Sequence, residues 1–266
     1  MNNYDLKKLQ KTELDILIDF ADFCKEKGLK YYLIGGALLG AARYHRFIPW
    51  DDDVDVAMPR EDYEKLKVIY SSDKYFLQNS DTDLYFGRCI QKIRLNGTQI
   101  IEKTCQDVNM HKGIYIDIFP IDYADSSDSK PLLDRAKKIR LLMSYRTIKS
   151  GYISGKYSFI KRLIKLFVPL SLKKADSMIN NLCTAENNSQ RNYAVLFLHN
   201  YPLTKQTHDI SVFAEGTLCE FEGHKFIAPS KTDEFLKKVF GENYMQEPPK
   251  EKQKTPHHYL SVKYDI

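Results

Sequence analysis

Residues 31–58 read YYLIGGALLGAARYHRFIPWDDDVDVAM and carry the strongest structural pattern in the chain. The apolar start of this segment predicts a strand that ends at Gly35-Gly36, and residues 37–43 favour a short helix directly after the glycine pair. Residues 53–58 alternate in polarity, which is typical of a half-buried strand. A strand, a helix and an acidic second strand in this order predict a core of the α/β (α+β) class.

Four acids stand within residues 51–55. Alternate side chains on a strand share a face and lie about 6.6 Å apart, so Asp51, Asp53 and Asp55 are expected to face together, with Asp52 opposite. Three like charges on one face repel one another unless a cation lies between them. Carboxylate oxygens suit Mg²⁺ or Mn²⁺, and the pattern therefore predicts a metal site for phosphoryl chemistry, although an acidic run can also be a solvated turn.

Asp117 is a lone acid in the otherwise apolar segment IYIDIF, residues 114–119, which predicts a buried strand. A charged side chain is rarely tolerated there unless it is paired or binds a ligand. Asp117 is therefore predicted to supply a third carboxylate. It would either complete the metal shell or accept the proton of an attacking hydroxyl.

Several basic side chains are candidate phosphate ligands. Arg88, Lys92 and Arg94 alternate along one predicted strand of a hairpin over residues 84–101, and Arg43 is a further candidate. Guanidinium and ammonium groups bind phosphate oxygens through charge-assisted hydrogen bonds. A solvated hairpin face is the alternative interpretation.

Two further features flank the acids in the sequence. Gly35 and Gly36 stand where backbone N–H groups can approach an anion without interference from a Cβ atom, although a glycine pair can also be a simple turn. Trp50, the only tryptophan, could stack on a nucleobase, face a ligand cation or pack beneath the site.

Periodicity and turn signals divide the rest of the chain into elements. In the first half we expect a helix over 5–27 capped by Gly28, a helix beginning near Arg60, a hairpin turning at Asn96-Gly97 and a strand stopped by Pro120. In the second half we expect a polar loop over 121–130 and basic helices over 131–185. A hairpin over 218–227, a helix over 231–240 and a polar, proline-rich tail are expected to follow. This order predicts a catalytic core over residues 1–125, followed by a mainly helical and basic accessory region, 126–266, that completes the site.

Composition narrows the class of protein. The net charge of +5 does not indicate nucleic-acid binding, and no RNA-recognition motif is visible, so no nucleic-acid partner is expected. Five scattered cysteines without CxxC spacing favour reduced thiols, and the polar N-terminus together with the lack of a long apolar run predicts a cytoplasmic protein. His257-His258 and the other histidines lack the spacing of a zinc hydrolase.

Residues 137–174 contain 11 lysines or arginines and no acid. Apolar and basic side chains alternate at helical spacing within this segment, around Lys161, Arg162 and Lys165. Such a helix can lie on the anionic inner face of a cell membrane, or it can pack on the core with its lysines in solvent.

The motifs resemble the LicD-type phosphocholine transferase family of the nucleotidyltransferase superfamily. The resemblance is densest in GGALLGAAR, residues 35–43, and FIPWDDDVDV, residues 47–56. Residues 114–120 and FGENYM, residues 240–245, with Pro248-Pro249, also resemble the family pattern. Asp53 and Asp55 match its metal-binding pair, and Asp117 matches its third acid.

The resemblance implies a nucleotidyltransferase-like fold, a small mixed sheet flanked by helices. It also implies Mg²⁺-dependent transfer of phosphocholine, or a related phospho-alcohol, from a CDP-linked donor. The acceptor would be a sugar hydroxyl of a cell-surface glycan such as teichoic acid, capsule or lipopolysaccharide, either free or lipid-linked. The alternative is a nucleotidyltransferase that moves NMP from NTP to a small-molecule hydroxyl or amine, and the same acids would serve it.

Overall fold

A computed structural model describes residues 4–152, 158–188, 191–257 and 259–266. The helices of these residues are α1 (Leu6–Lys27), α2 (Gly35–Tyr44), α3 (Arg60–Ile69), α4 (Lys130–Lys149), α5 (Ser158–Phe167), α6 (Leu172–Cys183), α7 (Leu203–Gln206) and α8 (Thr232–Phe240), with 3₁₀ turns at Ile210–Val212 and Lys250–Lys252. The strands are β1 (Tyr32–Ile34), β2 (Asp55–Pro59), β3 (Tyr75–Gln78), β4 (Gln91–Leu95), β5 (Thr98–Glu102), β6 (Tyr115–Ala124), β7 (Tyr193–Val195), β8 (Thr207–Asp209), β9 (Thr217–Phe221), β10 (His224–Ala228) and β11 (Tyr259–Tyr264).

A mixed sheet forms the centre of the molecule, in the order β1-β2-β6-β4-β3. β2 and β6 are parallel, whereas β1, β3 and β4 run antiparallel to their neighbours. β7 and β8 extend the sheet from the second half of β6. Helices pack against this sheet, which confirms the α/β class predicted from the sequence.

Helix α1 covers the sheet next to β4 and β6. It begins after Asp5, whose side chain accepts a hydrogen bond from the Lys8 amide, and it ends at Gly28, which adopts φ 62°. Both are preferred capping residues for these conformations. Its buried face includes Leu9, Ile16 and Phe20, each contributing about 1.5–3 kcal/mol when fully buried. The predicted end of this helix is confirmed, and its start lies one residue later than predicted.

Strand β6 runs through Pro120, which was predicted to stop it. The strand pairs with β4 only as far as Ile118 and with β2 as far as Ile121, and then changes partner to β7 at Asp122. Proline lacks an N–H and is tolerated where a neighbouring ladder has ended. The prediction of a loop from residue 121 was therefore wrong for residues 121–124, which continue the strand.

The predicted hairpin over residues 84–101 is also wrong. The turn at Asn96-Gly97 exists, but β4 pairs with β3 and β6, whereas β5 pairs with β11. β11 lies in the segment that was predicted only as a polar, proline-rich tail. A local turn signal cannot reveal that the second strand prefers a partner more than 150 residues away along the chain.

The second predicted hairpin is confirmed. β9 and β10 pair in antiparallel register, and the turn residues Glu222 and Gly223 have φ of 51° and 76°. Positive φ at both central residues is typical of a tight hairpin turn. The hairpin packs next to α2 and β1.

Helices α4, α5 and α6 form the basic region. Arg146 of α4 is fully buried and lies 2.7 Å from Asp176 of α6, which joins these two helices. Within the ranges that the structure covers, every helix is too short or too polar to cross a bilayer.

Candidate active site

A cavity of about 380 Å³ lies beside the first residue of β2. All but two of the predicted site residues line it: Gly35, Gly36, Trp50, Asp51, Asp53, Asp55, Arg88, Lys92 and Asp117. Trp50 also packs against the hydrophobic core, so it belongs to both environments. The structure therefore gathers residues from four separate parts of the sheet and its loops around one space.

The glycine pair allows two carboxylates to approach the start of α2. A Cβ atom on Gly35 would lie 2.6 Å from Asp55 Oδ2, and one on Gly36 would lie 2.0 Å from Asp51 Oδ2. Gly35 also has φ 60°, which side chains rarely adopt. The glycines were predicted to form a turn before the helix, but they are its first residues. Their acid neighbours thus lie at the positive end of a helix dipole.

The acids do not lie on one strand as predicted. Only Asp55 belongs to β2, and Asp51 to Asp53 form an irregular segment before it. Asp55 is the register partner of Asp117 on the adjacent parallel strand, so these two side chains are neighbours. The convergence of Asp53, Asp55 and Asp117 therefore arises from strand pairing and a loop rather than from alternation along one strand.

The cavity concentrates negative charge in a poorly solvated place. Burial, followed by Asp55 and Asp51, raises the pKa of the Asp53 carboxyl well above its usual range. Burial, followed by repulsion from Asp55 and Asp52, raises the pKa of the Asp51 carboxyl to about 7. These acids repel one another, and a cation between them would favour their ionised forms.

A divalent cation fits these residues. Asp51 is 8% exposed, and among the described residues its Oδ2 has no hydrogen-bond partner. An orphaned buried carboxylate oxygen is costly unless something binds it. Together with Asp53, Asp55 and Asp117 it offers a set of hard oxygen donors, which Mg²⁺ and Mn²⁺ prefer.

Lys92 and Arg88 bring positive charge to the same cavity. Lys92 Nζ lies 2.6 Å from Asp117 Oδ1 and 3.2 Å from the centre of the Tyr115 ring. Burial lowers the pKa of Lys92, although Asp117 partly opposes this effect. Arg88 lies in the loop before β4, not on the strand. Burial lowers the pKa of its guanidinium, but Glu102 and Asp117 raise it by more.

The other two predicted phosphate ligands lie outside the cavity. Arg94 shares a strand face with Lys92, but it is one pleat further along β4, where it donates to Gln78 and to the Gly113 carbonyl. Arg43 lies at the end of α2 and donates to the Tyr244 carbonyl. Each guanidinium donates to protein acceptors, and neither residue lines the cavity, although Arg43 Nε has no hydrogen-bond partner among the described residues.

The role of His257 was not predicted from the sequence. Its Nδ1 lies 2.9 Å from Asp52 Oδ1, and its Nε2 lies 3.8 Å from Asp53 Oδ2. Burial lowers the pKa of His257, but the hydrogen bond to Asp52 outweighs burial and the pKa is raised. The neighbouring His258 lies outside the described residues. The paired histidines were visible in the sequence, but nothing local linked them to an acid 205 positions earlier.

His199 and Glu13 were also missed. His199 lines the cavity with its Nε2 3.8 Å from Asp55 Oδ2, and its ring stacks on Tyr201. Glu13 of α1 is fully buried, and neither carboxyl oxygen has a hydrogen-bond partner among the described residues. Burial, Asp52 and Asp51 raise the pKa of Glu13 well above its usual range. An acid on the apolar face of α1 was the only signal that the sequence offered for it.

Comparisons with known proteins show which proteins this chain resembles. Residues 28–139 match the family described as LicD/FKTN/FKRP, nucleotidyltransferase domain. The chain is 29% identical over 269 residues to the lipopolysaccharide cholinephosphotransferase LicD of Haemophilus influenzae, covering 97% of each protein. The chain therefore contains a segment that matches the LicD family model, and it resembles a LicD cholinephosphotransferase along nearly its whole length.

Two animal relatives of the LicD family share a shorter stretch. The ribitol 5-phosphate transferases FKRP of mouse and human are each 57% identical to this chain over 35 residues. This stretch covers 13% of the chain and 7% of either relative. The similarity to these two proteins is therefore high but local.

The segment that matches the LicD family does not form the cavity alone. It contains the four aspartates of the cavity and two of its three lysine or arginine side chains, Arg88 and Lys92, whereas the third, Lys254, lies outside it. His199, Tyr201, Phe240 and His257 line the cavity from outside residues 28–139. The site thus depends on side chains from both halves of the sequence.

Proposed function

We propose that the protein transfers phosphocholine or a related phospho-alcohol from a CDP-linked donor to a sugar hydroxyl of a cell-surface glycan, such as lipopolysaccharide, teichoic acid or capsule. The observation that carries the proposal is the convergence of four aspartates, Asp51, Asp53, Asp55 and Asp117, with Arg88 and Lys92 in one cavity. The full-length relative is named as a lipopolysaccharide cholinephosphotransferase, which favours phosphocholine as the first group to test.

The donor's diphosphate would bind between the acids and the cations of the cavity. A bound Mg²⁺ or Mn²⁺ would be held by Asp53 and Asp55 and would neutralise charge that develops on the leaving CMP. Arg88 and Lys92 would donate to phosphate oxygens and fix the distal phosphorus. The amides at the start of α2 offer a further place for an oxygen anion.

The acceptor hydroxyl would attack the distal phosphorus in line with the bridging oxygen. A new P–O bond forms to the sugar, the bond to the bridging oxygen breaks, and CMP leaves with the electron pair. The hydroxyl proton would pass to Asp117, whose Oδ1 is already in contact with Lys92, so Oδ2 is the atom that would receive it. Lys92 would keep Asp117 oriented for this step.

Product analysis tests the proposed reaction. We expect CMP release when the purified protein, Mg²⁺ or Mn²⁺ and a glycan acceptor are incubated with CDP-choline. CDP-glycerol and CDP-ribitol are tested as donors in separate reactions. CTP with the same acceptors should give no pyrophosphate. Chromatography of the nucleotide products reports both outcomes, and pyrophosphate release without CMP would instead support the nucleotidyltransferase alternative.

Helix α5 offers a surface for a membrane-anchored acceptor. Phe159, Leu166 and Phe167 are each more than 70% exposed, and Arg162 is exposed on the same helix. Large exposed apolar side chains beside basic ones suit an anionic lipid surface, where the apolar groups insert and the cations meet head groups. We propose that α5 contacts the inner face of the membrane, where a lipid-linked glycan would be presented.

Sedimentation with vesicles tests this contact. The protein is expected to sediment with phosphatidylglycerol vesicles at low salt and not with phosphatidylcholine vesicles. Replacing Phe159 and Phe167 with Ser should reduce the bound fraction at least about tenfold, because each buried phenyl ring contributes about 1.5–3 kcal/mol. Val68→Ser on α3 removes another exposed apolar side chain and should leave binding unchanged. Equal sedimentation of both variants would disprove the contact.

A further inference from the structure

His257 is held rigidly at the rim of the cavity. It precedes β11, and its ring stacks on the Tyr259 ring at an interplanar angle of 7°. The Tyr259 hydroxyl in turn contacts the Asp52 carbonyl at 3.3 Å and the Tyr115 hydroxyl at 3.0 Å. The pairing of β11 with β5 therefore fixes where this imidazole lies relative to the acids.

Asp52 determines which nitrogen of His257 faces the cavity. Its side chain is fully buried, its Oδ1 accepts from His257 Nδ1 at 2.9 Å, and its Oδ2 accepts from the Tyr4 hydroxyl at 3.0 Å. Because a carboxylate can only accept at Nδ1, the neutral imidazole carries its proton on that nitrogen, and its Nε2 then presents a lone pair. Metal-binding histidines commonly have such a carboxylate partner behind the ring.

The distance from Nε2 to the acids suits a shared cation. Nε2 lies 3.8 Å from Asp53 Oδ2, and one ligand atom each from Asp52, Asp53 and His257 lies within 4.8 Å of the others. Two ligand atoms about 2.1 Å from one ion are roughly 3 Å apart at a right angle and about 4 Å apart across the ion. One ion can therefore contact both His257 and Asp53.

A second observation points to a ligand in the same place. Asp51 is more than nine-tenths buried, lines the cavity with His257, and leaves its Oδ2 without a hydrogen-bond partner among the described residues. A group of acids alone would not define a cation site. An orphaned carboxylate oxygen and an oriented imidazole that line one cavity supply ligand atoms that hydrogen bonds within the described residues do not use.

We propose that His257 is a metal ligand through Nε2, with Asp52 as the residue that orients it. This inference rests on the proposed function, because it assumes that Asp53 binds the same cation. Imidazole nitrogen is a softer donor than carboxylate oxygen and suits Mn²⁺ and later transition metals better than Mg²⁺. The mixed donor set therefore makes Mn²⁺ the preferred ion of the site.

Direct metal binding separates this inference from the proposed reaction. Isothermal titration with MnCl₂ or MgCl₂ alone is expected to show Mn²⁺ bound at least about tenfold more tightly than Mg²⁺. His257→Gln should lose most of this preference, and Asp52→Asn should weaken Mn²⁺ binding by about 10–100-fold. His224→Gln changes an exposed histidine on β10 and should bind both ions like the unmodified protein.

Pulsed EPR of the unmodified protein tests the histidine ligand without depending on the folding of any variant. The Mn²⁺-loaded protein is expected to show coupling to a directly bound imidazole nitrogen, and His257→Gln should remove it. Lack of nitrogen coupling in the unmodified protein would overturn the proposal. If Asp53→Asn abolishes Mn²⁺ binding while His257→Gln has no effect, only the histidine ligand is disproved. If Asp53→Asn also has no effect, the metal centre of the proposed function fails.

Discussion

Asp53→Asn and Asp55→Asn are each expected to lower the rate of CMP release by at least about 1000-fold while the protein remains folded. The amide keeps the size of the side chain but removes the charge that would hold the cation. Stability should not fall, because both acids lie among like charges whose repulsion raises the pKa of Asp53. The folded protein would be unchanged or more stable without one of these charges.

Two measurements on the same samples check this expectation. Turnover is followed by CMP release, and the free energy of unfolding is followed by urea titration of the circular dichroism signal. Asp73→Asn, which changes an exposed acid before β3, is the matched control and should retain full activity. Retention of more than a tenth of the activity in either variant would remove that residue from the proposed chemistry.

Arg60→Met is expected to produce the largest loss of stability, about 3–5 kcal/mol. Arg60 donates from Nε and Nη2 to the two oxygens of Asp122, at 2.8 Å and 2.6 Å, and the Asp122 side chain is 0% exposed. Burial lowers the pKa of Arg60, but Asp122 raises it by more. Removing the guanidinium leaves a buried carboxylate without its cation at the point where β6 changes partner.

Matched variants isolate the buried ion pair from the other contacts of Arg60. Glu64→Gln removes only a half-exposed partner one helical turn away and should cost about 0.5 kcal/mol or less. Adding Asp122→Asn to Arg60→Met removes the uncompensated charge and should recover part of the loss. A loss below about 1 kcal/mol for Arg60→Met, measured by urea unfolding, would contradict the assigned role.

Local signals in the sequence predicted the elements that depend on neighbouring residues. The caps of α1 at Asp5 and Gly28 and the turn at Glu222-Gly223 are determined by backbone conformations that few residues adopt. The acids at 51–55 were predicted because like charges on one face repel one another unless a cation lies between them, and Asp117 because a charge is rarely tolerated in an apolar strand. Their convergence was correct even though the expected strand geometry for Asp51 and Asp53 was wrong.

Features that depend on contacts between distant parts of the chain were not predicted from the sequence. The Asn96-Gly97 turn did not indicate that β5 would pair with β11, since strand partners depend on burial rather than on the turn alone. His257 reaches Asp52 only through this pairing. Arg94 had the right residue type and spacing, but whether a strand cation faces a cavity or an internal acceptor such as Gln78 depends on the whole sheet.

The pairing of β11 with β5 has a consequence for synthesis on the ribosome. Residues 28–139 can emerge and begin to condense well before residues 259–264 are translated, and until then β5 has an unpaired edge. At that stage the nascent chain would contain the aspartates of the cavity but would lack β11 and His257. The cavity can acquire its final shape only after this late strand has been added.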